Sequence, residues 1–391
     1  MKRSNIILVG PLPPPEYGQS VSFRMLVNNL GSEWNAKVVN IAIDSVKPGQ
    51  RTSLAQIVAW FGILFKFSVR CVCGFKKGVV YITIAQSLRG FLRDAVMIWI
   101  AVALNKRVVM HLKGGNFGSF LVSQPLILRF FIETTWSKAS QIVVLGPSLV
   151  GMFDGIPSLA KKVVVVRNGY PADNLPIDVG FAEKNVAALR ILYLSNMIQS
   201  KGYYKLLDAL EMLKSHGVNF LCDFCGEFYT SSDDKILIPP ECLNQMFMER
   251  VKQLGLEGHV TYHGKVSGDK KWQLLAAADV FVLPTSYQNE GQPVSIIEAL
   301  ASSTAVVSTN FRSIPDLVTN GVEGILIEVP SKELIFDSLK NLSMNPSLLM
   351  RMKVNAYKKY EQEFQQKKHL ENLSRVFKDA LGSRERTLID Q

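Results

Sequence analysis

Two glutamates eight positions apart, Glu290 and Glu298, are the residues of this sequence best suited by type and spacing to chemistry. A short apolar run at 279–283, DVFVL, precedes them and has the length and composition of a buried parallel strand. An apolar-periodic segment at 294–300 follows and predicts a helix. With about 3.6 residues per turn, Glu298 lies inside that helix while Glu290 lies before it. The spacing therefore places one carboxylate at the mouth of a site and one deeper, as a ligand with a diphosphate and two sugar rings requires.

The residues that start this helix add an anion site. They are Gly291, Gln292, Pro293 and Val294. Proline is a start signal at the first helical position, because the N–H that it lacks would have been unpaired there. The first N–H groups of a helix have no intrahelical partner and carry the positive end of the helix dipole. The segment therefore predicts a binding site for a phosphate or another anion.

A second loop of this kind follows the strand predicted at 189–194. The loop contains Asn196 and Lys201, and it leads through Gly202 into an amphipathic helix predicted over 203–214. Backbone donors at a helix start and a lysine ammonium together favour a phosphate. An ordinary surface lysine in a loop is the alternative interpretation.

Two further candidates lie in the first half of the chain. A proline-rich loop at 11–20 follows the strand predicted at 5–10 and contains Gly18. The loop is not G-x-G-x-x-G, which argues against a nicotinamide dehydrogenase. His111 lies near the end of the strand predicted at 107–112 and precedes a Gly-Gly pair. Because ligands of doubly wound sheets bind at the carboxyl ends of strands, we expect both loops to line a cleft, although a purely structural histidine is the alternative for His111.

Composition sets the broad class. The 391 residues are 48% apolar and 20% charged, which indicates a globular protein of two or three domains. Short apolar runs alternate with helical segments in both halves, so we predict α/β domains with parallel sheets. Apolar runs at 54–65 and 95–104 are shorter than the roughly 20 residues that span a bilayer, and we interpret them as buried helices. No signal peptide is found, and five cysteines without one indicate a reducing compartment.

Positive charge is concentrated in the first half of the chain. The net charge is +11, and residues 1–180 contain 20 basic residues against 8 acidic ones. The basic residues flank the two apolar runs, a pattern that favours anionic lipid headgroups or a phosphorylated acceptor. Scattered solvated lysines are the alternative. Nucleic acid is not expected as a partner, because the sequence has no recognition module for it.

The order E-G-x-P-x-x-x-x-E after a strand ending in Leu-Pro resembles the signature of family 4 retaining glycosyltransferases, which have the GT-B fold. The resemblance is good over 189–329 and weak in the first half. It implies two Rossmann-like doubly wound domains that face a central cleft. Residues 1–175 would form a basic acceptor-binding domain with a surface that could face a membrane. Residues 186–355 would form the domain that binds the nucleotide-sugar donor. Residues 356–391 would form a helix that crosses back to the first domain.

The resemblance implies that several of these residues bind the diphosphate of the donor. Lys201 matches a basic residue of the family, whereas Asn196 stands where the family has arginine. The helix start at 291–294 would add backbone donors. Gly18 would approach the diphosphate from the first domain, although the family's paired glycines are here Gly18 and Gln19.

The same resemblance implies which residues bind the ribose of the nucleotide and the donor sugar. Glu298 would accept hydrogen bonds from the ribose hydroxyls. Glu290 would bind the donor sugar and support an oxocarbenium-like centre, and His111 would bind the same sugar and support the transition state.

The expected activity is therefore transfer of a hexosyl or N-acetylhexosaminyl group, with retention, from a nucleotide diphosphate sugar, most simply a UDP-sugar. The expected acceptor is a glycan or a polyprenyl diphosphate-linked glycan of bacterial surface polysaccharide, such as lipopolysaccharide O-antigen, capsule or exopolysaccharide. The enzyme would act in the cytoplasm, peripheral on an anionic membrane. No D-x-D metal set is found near the expected cleft, so we predict activity without a metal or other cofactor. A nucleotide-sugar epimerase of the same fold and a noncatalytic nucleotide-sugar-binding subunit are the alternatives.

Overall fold

The computed structural model describes residues 3–14, 16–42, 54–74, 77–171, 188–230 and 238–382. Within these ranges the chain forms two α/β units, each built on a six-stranded parallel sheet. The first unit comprises Met1–Gly169 and Lys367–Gln391, and the second comprises Tyr170–Gln366. The predicted fold class, including the C-terminal helix that belongs to the first unit, is confirmed.

The strands are β1 (Ser4–Gly10), β2 (Trp34–Asn40), β3 (Val79–Ile84), β4 (Arg107–Leu112), β5 (Gln141–Val144), β6 (Val163–Val165), β7 (Leu189–Leu194), β8 (Phe220–Cys225), β9 (Val260–Tyr262), β10 (Val280–Leu283), β11 (Ala305–Thr309) and β12 (Gly324–Ile327). The α-helices are α1 (Gly18–Asn29), α2 (Leu54–Gly74), α3 (Leu88–Ala103), α4 (Phe117–Val122), α5 (Leu126–Trp136), α6 (Pro157–Ala160), α7 (Tyr203–Ser215), α8 (Pro240–Gln253), α9 (Gly268–Ala277), α10 (Val294–Ala301), α11 (Lys332–Met344), α12 (Pro346–Lys359) and α13 (Gln366–Gly382).

The first sheet has the order β2-β1-β3-β4-β5-β6 and is covered by helices on both faces. Side chains alternate across a strand, so Ile7 and Val9 pack into a core with α2, α3 and α5, whereas Ile6 and Leu8 pack with α1 and α13. Burial on both faces explains why the strands are apolar at nearly every position instead of at every second one.

Helix α13 completes the second of these cores. Phe377 lies edge-on to Trp34 and to Tyr81, with ring centroids 5.6 Å apart in each case. The indole N–H of Trp34 donates to Ser374 Oγ at 2.8 Å. The last helix of the chain is therefore part of the hydrophobic core that the first strand builds.

The chain passes between the units at two segments that are hydrogen-bonded to each other. The N–H of Tyr170 donates to the carbonyl of Phe364 at 2.9 Å, and the N–H of Gln366 donates to the carbonyl of Tyr170 at 3.0 Å. The first unit ends at Gly169 and resumes at Lys367, whereas the sequence predicted boundaries at 175 and 356. Residues 172–187, which include the boundary between the two predicted domains, lie outside the described residues.

The second sheet has the order β12-β11-β10-β7-β8-β9. The chain enters at β7, continues outward through β8 and β9, and returns to the other side of β7 as β10. The strand order therefore reverses between β7 and β10. In open parallel sheets, ligands bind at the carboxyl ends of the strands at such a reversal.

Two predictions of local structure were wrong. The C-terminal helix predicted from residue 356 is interrupted, because Gln365 is extended and separates α13 from α12 and the π-helical turn Tyr360–Phe364. The apolar run at 54–65 lies in α2, whose outer side is exposed instead of buried.

Candidate functional site

The loops after β7 and β10 bring together an ammonium and a carboxylate predicted as site residues. Lys201 Nζ lies 3.4 Å from Glu290 Oε2 and donates to Ser195 Oγ at 3.0 Å. Thr285 Oγ1 donates to the same carboxylate oxygen at 3.3 Å. Glu290 is only 7% exposed, so the pair sits largely out of water, where its electrostatic interaction is stronger than at the surface.

Backbone contacts hold the two loops side by side. The N–H of Ser286 donates to the carbonyl of Ser200 at 2.7 Å. Gly202 has φ +81°, and a Cβ atom there would lie 2.2 Å from the carbonyl oxygen of Pro284. Only glycine fits this position, which fixes Lys201 beside Glu290.

Helix α10 begins four residues after Glu290. Pro293 was predicted as the first helical residue, but it is the N-cap. The first helical residue is Val294. Gly291, Gln292 and Pro293 are buried, and Ser313 Oγ donates to the carbonyl of Gly291. The N–H groups of the first helical turn have no intrahelical acceptor, so this rigid segment can present donors to an anion beside Lys201.

Glu298 forms a second buried ion pair, which the sequence did not predict. Lys271 on α9 donates to Glu298 Oε1 at 2.7 Å and to the hydroxyl of Tyr170 at 3.0 Å. Burial alone would lower the pKa of Lys271, but the Glu298 carboxylate raises it above its ordinary value. Burial and the same carboxylate raise the pKa of Tyr170 to about 12. Lys271 is therefore charged and Tyr170 is neutral. Neither residue belongs to a sequence motif, because both contact the Glu298 site only in the folded chain.

The remaining candidates differ in their surroundings. Asn196 is exposed on the loop that contains Lys201. Gly18 is exposed at the start of α1 in the first unit. Gly18 and His111 belong to the first unit, and all the other predicted site residues belong to the second.

His111 lies inside β4 and is fully buried. Its Nδ1 and the hydroxyl of Tyr81 are hydrogen-bonded at 2.8 Å, while its Nε2 has no hydrogen-bond partner in the described part of the chain. Burial lowers the pKa of His111 well below its ordinary value, and Lys113 and His369 lower it further. The ring is therefore neutral, and its predicted role toward a sugar stays a prediction.

Lys113 lies just past the end of β4. Its ammonium donates to Ser22 Oγ at 3.1 Å and to Asn168 Oδ1 at 2.9 Å. Burial lowers the pKa of Lys113 to about 7. Burial also lowers the pKa of His369, whose Nδ1–H donates to the carbonyl of Arg167 at 2.6 Å, to about 3. The carboxyl end of β4 thus has two neutral histidines and a lysine that titrates near neutrality.

No group of three or more His, Cys, Asp and Glu side chains lies close enough to hold a metal ion in the described ranges. Cys222 and Cys225 of β8 are free thiols buried in the core of the second unit.

Two doubly wound parallel sheets and a C-terminal helix that belongs to the first unit define the GT-B fold. Residues 181–359, which lie within the second unit, match the family described as glycosyl transferases group 1. With the relatives described below, this match shows that the protein is a glycosyltransferase, while family 4 and retention stay predictions.

Similar proteins agree with this assignment. WcaL of Salmonella typhimurium, named for colanic acid biosynthesis, is 27% identical over 293 residues, which are 63% of this chain and 69% of WcaL. The amylovoran biosynthesis glycosyltransferase AmsK of Erwinia amylovora is 26% identical over 211 residues, 53% of this chain and 48% of AmsK. HepE of Anabaena, solved in complex with UDP, has a TM-score of 0.72 at 15% identity over 96% of this chain and 100% of HepE. At that identity the likeness to HepE establishes the fold alone.

We expect Gly202→Ala to destabilise the second unit by about 3 kcal/mol or more, because the methyl group would collide with the Pro284 carbonyl in addition to straining the backbone. The matched control is Gly217→Ala, where φ is +71° and nothing lies within 4 Å of the added Cβ. The control should lose only about 1 kcal/mol. Denaturant unfolding of both variants measures the difference, and equal losses would contradict the proposed loop contact.

We expect the first unit to lose stability as the pH falls below about 6.5. His111 and His369 are neutral when folded but take up a proton when unfolded, so the stability that these two rings contribute is complete above pH 6.5 and is lost as the pH falls toward the folded pKa, about 3 for His369. Each histidine contributes about 1.4 kcal/mol per pH unit in that window. Thermal melts from pH 7.5 to 4.5 measure the slope.

In this experiment His369→Gln should flatten the pH slope whatever its effect on stability at pH 7.5. His216→Gln, at an exposed position of the second unit, is the control and should leave the slope unchanged. A slope unaffected by His369→Gln would show that the buried ring does not drive the acid sensitivity.

Proposed function

We propose that this protein is a retaining, family 4 glycosyltransferase that moves a sugar from a nucleotide diphosphate sugar, most simply a UDP-sugar, to a lipid-linked glycan. The observation that carries the proposal is the buried Lys201–Glu290 pair beside the start of α10, at the strand reversal of the second sheet. HepE of Anabaena has been solved with UDP and with UDP-glucose, which supports a nucleotide-sugar donor.

The donor diphosphate would bind between Lys201 and the first turn of α10. A lysine ammonium has three N–H donors, and Ser195 and Glu290 account for two of them among the described residues. The third and the N–H groups of α10 can face a phosphate, and the exposed amide of Asn196 can add another donor. As the glycosidic bond stretches, negative charge builds up on the departing diphosphate, and these fixed donors would stabilise it without rearrangement.

The nucleotide ribose would bind to Glu298. A carboxylate has about four lone-pair positions, so Glu298 can hold Lys271 and still accept from sugar hydroxyls. Lys271 and Tyr170 would keep this carboxylate charged and oriented. The same residues explain how a charged glutamate is tolerated inside a helix at 6% exposure.

Glu290 would face the donor sugar, with Lys201 and Thr285 fixing its orientation. It would accept from sugar hydroxyls and stabilise the oxocarbenium-like centre electrostatically. A double displacement needs a second carboxyl about 5 to 5.5 Å away across the sugar, and Glu298 is engaged with Lys271. We therefore propose attack on the same face as the leaving group, with the leaving phosphate accepting the acceptor's proton.

The acceptor is proposed from the relatives and from charge. WcaL and AmsK are named for the biosynthesis of colanic acid and amylovoran, which supports a surface or extracellular polysaccharide as the product. Residues 1–180 contain 20 basic residues against 8 acidic ones, which favours an acceptor with a diphosphate. A polyprenyl diphosphate-linked glycan at the cytoplasmic face of the membrane meets both requirements.

Transfer assays test the proposal. Nucleotide sugars are first screened for thermal stabilisation, since a ligand that binds only the folded state raises its stability. With the best donor, Lys201→Ala should lower kcat by about 100-fold, because a donor to the leaving group is lost. Glu290→Gln should also reduce transfer, and the product formed from an α-linked donor should itself be α-linked.

Lys205→Ala is the matched control, since this lysine is exposed in the first turn of α7 and should leave kcat within about twofold. Turnover of Lys201→Ala at the wild-type rate would overturn the site assignment. Conversion of the donor without acceptor would identify an epimerase, and nucleotide binding without any turnover would identify a binding subunit.

We expect transfer to proceed without a metal ion, because Lys201 and the α10 N–H groups supply the positive charge that an ion would provide. The rate measured in excess EDTA should equal the rate in untreated buffer. Loss of turnover in EDTA that Mg²⁺ or Mn²⁺ restores would contradict this expectation.

A further inference from the structure

We infer that helices α2, α3 and α5 form a docking surface for the headgroup and upper acyl region of an anionic lipid monolayer. The surface, here called the outer apolar face, consists of fifteen exposed apolar side chains among the described residues. They are Leu54, Ile57, Val58, Phe61, Phe65, Val69 and Val72 on α2, Leu88, Leu92, Val96 and Trp99 on α3, and Leu126, Ile127, Phe130 and Phe131 on α5. Scattered exposed apolar residues are ordinary, but a contiguous set of this size marks an interaction site.

The exposed residues follow the period of a helix. On α2 they recur every three or four positions from Val58 through Phe65 to Val72, so they line one side. The opposite side of α2 contains Phe67 and Cys71, which are buried in the core of the first unit. The helix is therefore apolar on both sides, with one side facing the core and one facing outward.

The three helices lie next to each other on the same side of the first sheet. Helix α2 packs against α3. Helix α3 packs against α5 through Phe91 and Phe131, whose ring centroids are 5.6 Å apart, and Trp99 Nε1–H donates to Thr135 Oγ1 at 3.1 Å. Their core-facing residues belong to one hydrophobic cluster, so the outward residues form one continuous face.

Charge around the outer apolar face matches an anionic surface. Lys66 on α2, Arg89 on α3 and Lys138 just after α5 are exposed. Helix α2 contains no acidic residue, and the only acid of α3, Asp94, is fully buried and paired with Arg93 at 2.7 Å. Lys138 Nζ lies 5.2 Å from the Trp99 ring, which places an aromatic and a cation together, as at a membrane interface.

A lipid monolayer fits this face better than a transmembrane position of α2. Residues Gln56–Cys73 are long and apolar enough to span a bilayer by length and composition alone. Spanning would pull Phe67 and Cys71 out of the core that they share with α3. Lying in the interface keeps that core intact and buries the outward side chains, with the basic residues near the headgroups.

The biological role of this docking surface rests on the proposed function, because a lipid-linked acceptor stays in the membrane and the enzyme must reach it there. Vesicle flotation of the full chain tests it, with phosphatidylcholine vesicles that contain or lack phosphatidylglycerol. Wild-type protein should float with the anionic vesicles and bind neutral ones at least tenfold more weakly at low salt. Phe61→Glu/Phe65→Glu should lose at least tenfold in binding to anionic vesicles.

Met246→Glu/Met248→Glu is the matched control, since both methionines are exposed on α8 of the second unit, and this variant should float like the wild type. Glu290→Gln should also float, which separates membrane docking from catalysis. Phe61→Glu/Phe65→Glu should still transfer to a water-soluble acceptor, which shows that it is folded.

Three outcomes would overturn the inference. Equal flotation of wild type and Phe61→Glu/Phe65→Glu would mean that the outer apolar face does not contact lipid. A dimer in solution that this variant dissociates would mean that a second copy covers the face. Resistance of membrane-bound protein to alkaline carbonate would mean that α2 spans the bilayer.

Discussion

The contact between the loops after β7 and β10 is the constraint on which the candidate site depends. Strand order alone places these loops at the same edge of the sheet. The Ser286–Ser200 hydrogen bond and the approach of Pro284 to Gly202 then fix their separation. Because backbone atoms make the contact, the positions of Lys201 and Glu290 do not depend on flexible side chains alone. The start of α10 belongs to the same rigid segment.

The two units accommodate buried ionisable groups in different ways. In the second unit, Lys201–Glu290 and Lys271–Glu298 are buried charges that compensate each other, which offsets the cost of removing them from water. At the carboxyl end of β4, burial suppresses charge instead, as the lowered pKa values of His111, Lys113 and His369 indicate. A preorganised ionic site therefore belongs to the unit that matches the family, and a neutral polar cluster belongs to the other.

The sequence predicted those features that local pattern determines. The strands predicted at 107–112 and 189–194 match β4 and β7 residue for residue, because they are largely apolar runs bounded by polar residues. Lys201 and Glu290 were found because each follows a strand. Lys271 was missed, because nothing near it in sequence shows that α9 packs beside Glu298. Exposure of α2 was missed for a related reason: an apolar sequence does not distinguish a side that faces a core from one that faces outward.

The position of α13 has a consequence for biosynthesis. Leu373 and Phe377 pack with Ile6 and Leu8, so one core contains residues made before the second unit and residues made after it. The second unit, Tyr170–Gln366, leaves the ribosome before most of α13 does. A nascent chain can therefore finish its second unit while its first unit still exposes one sheet face, and chaperone capture should concentrate on that face until α13 has been made.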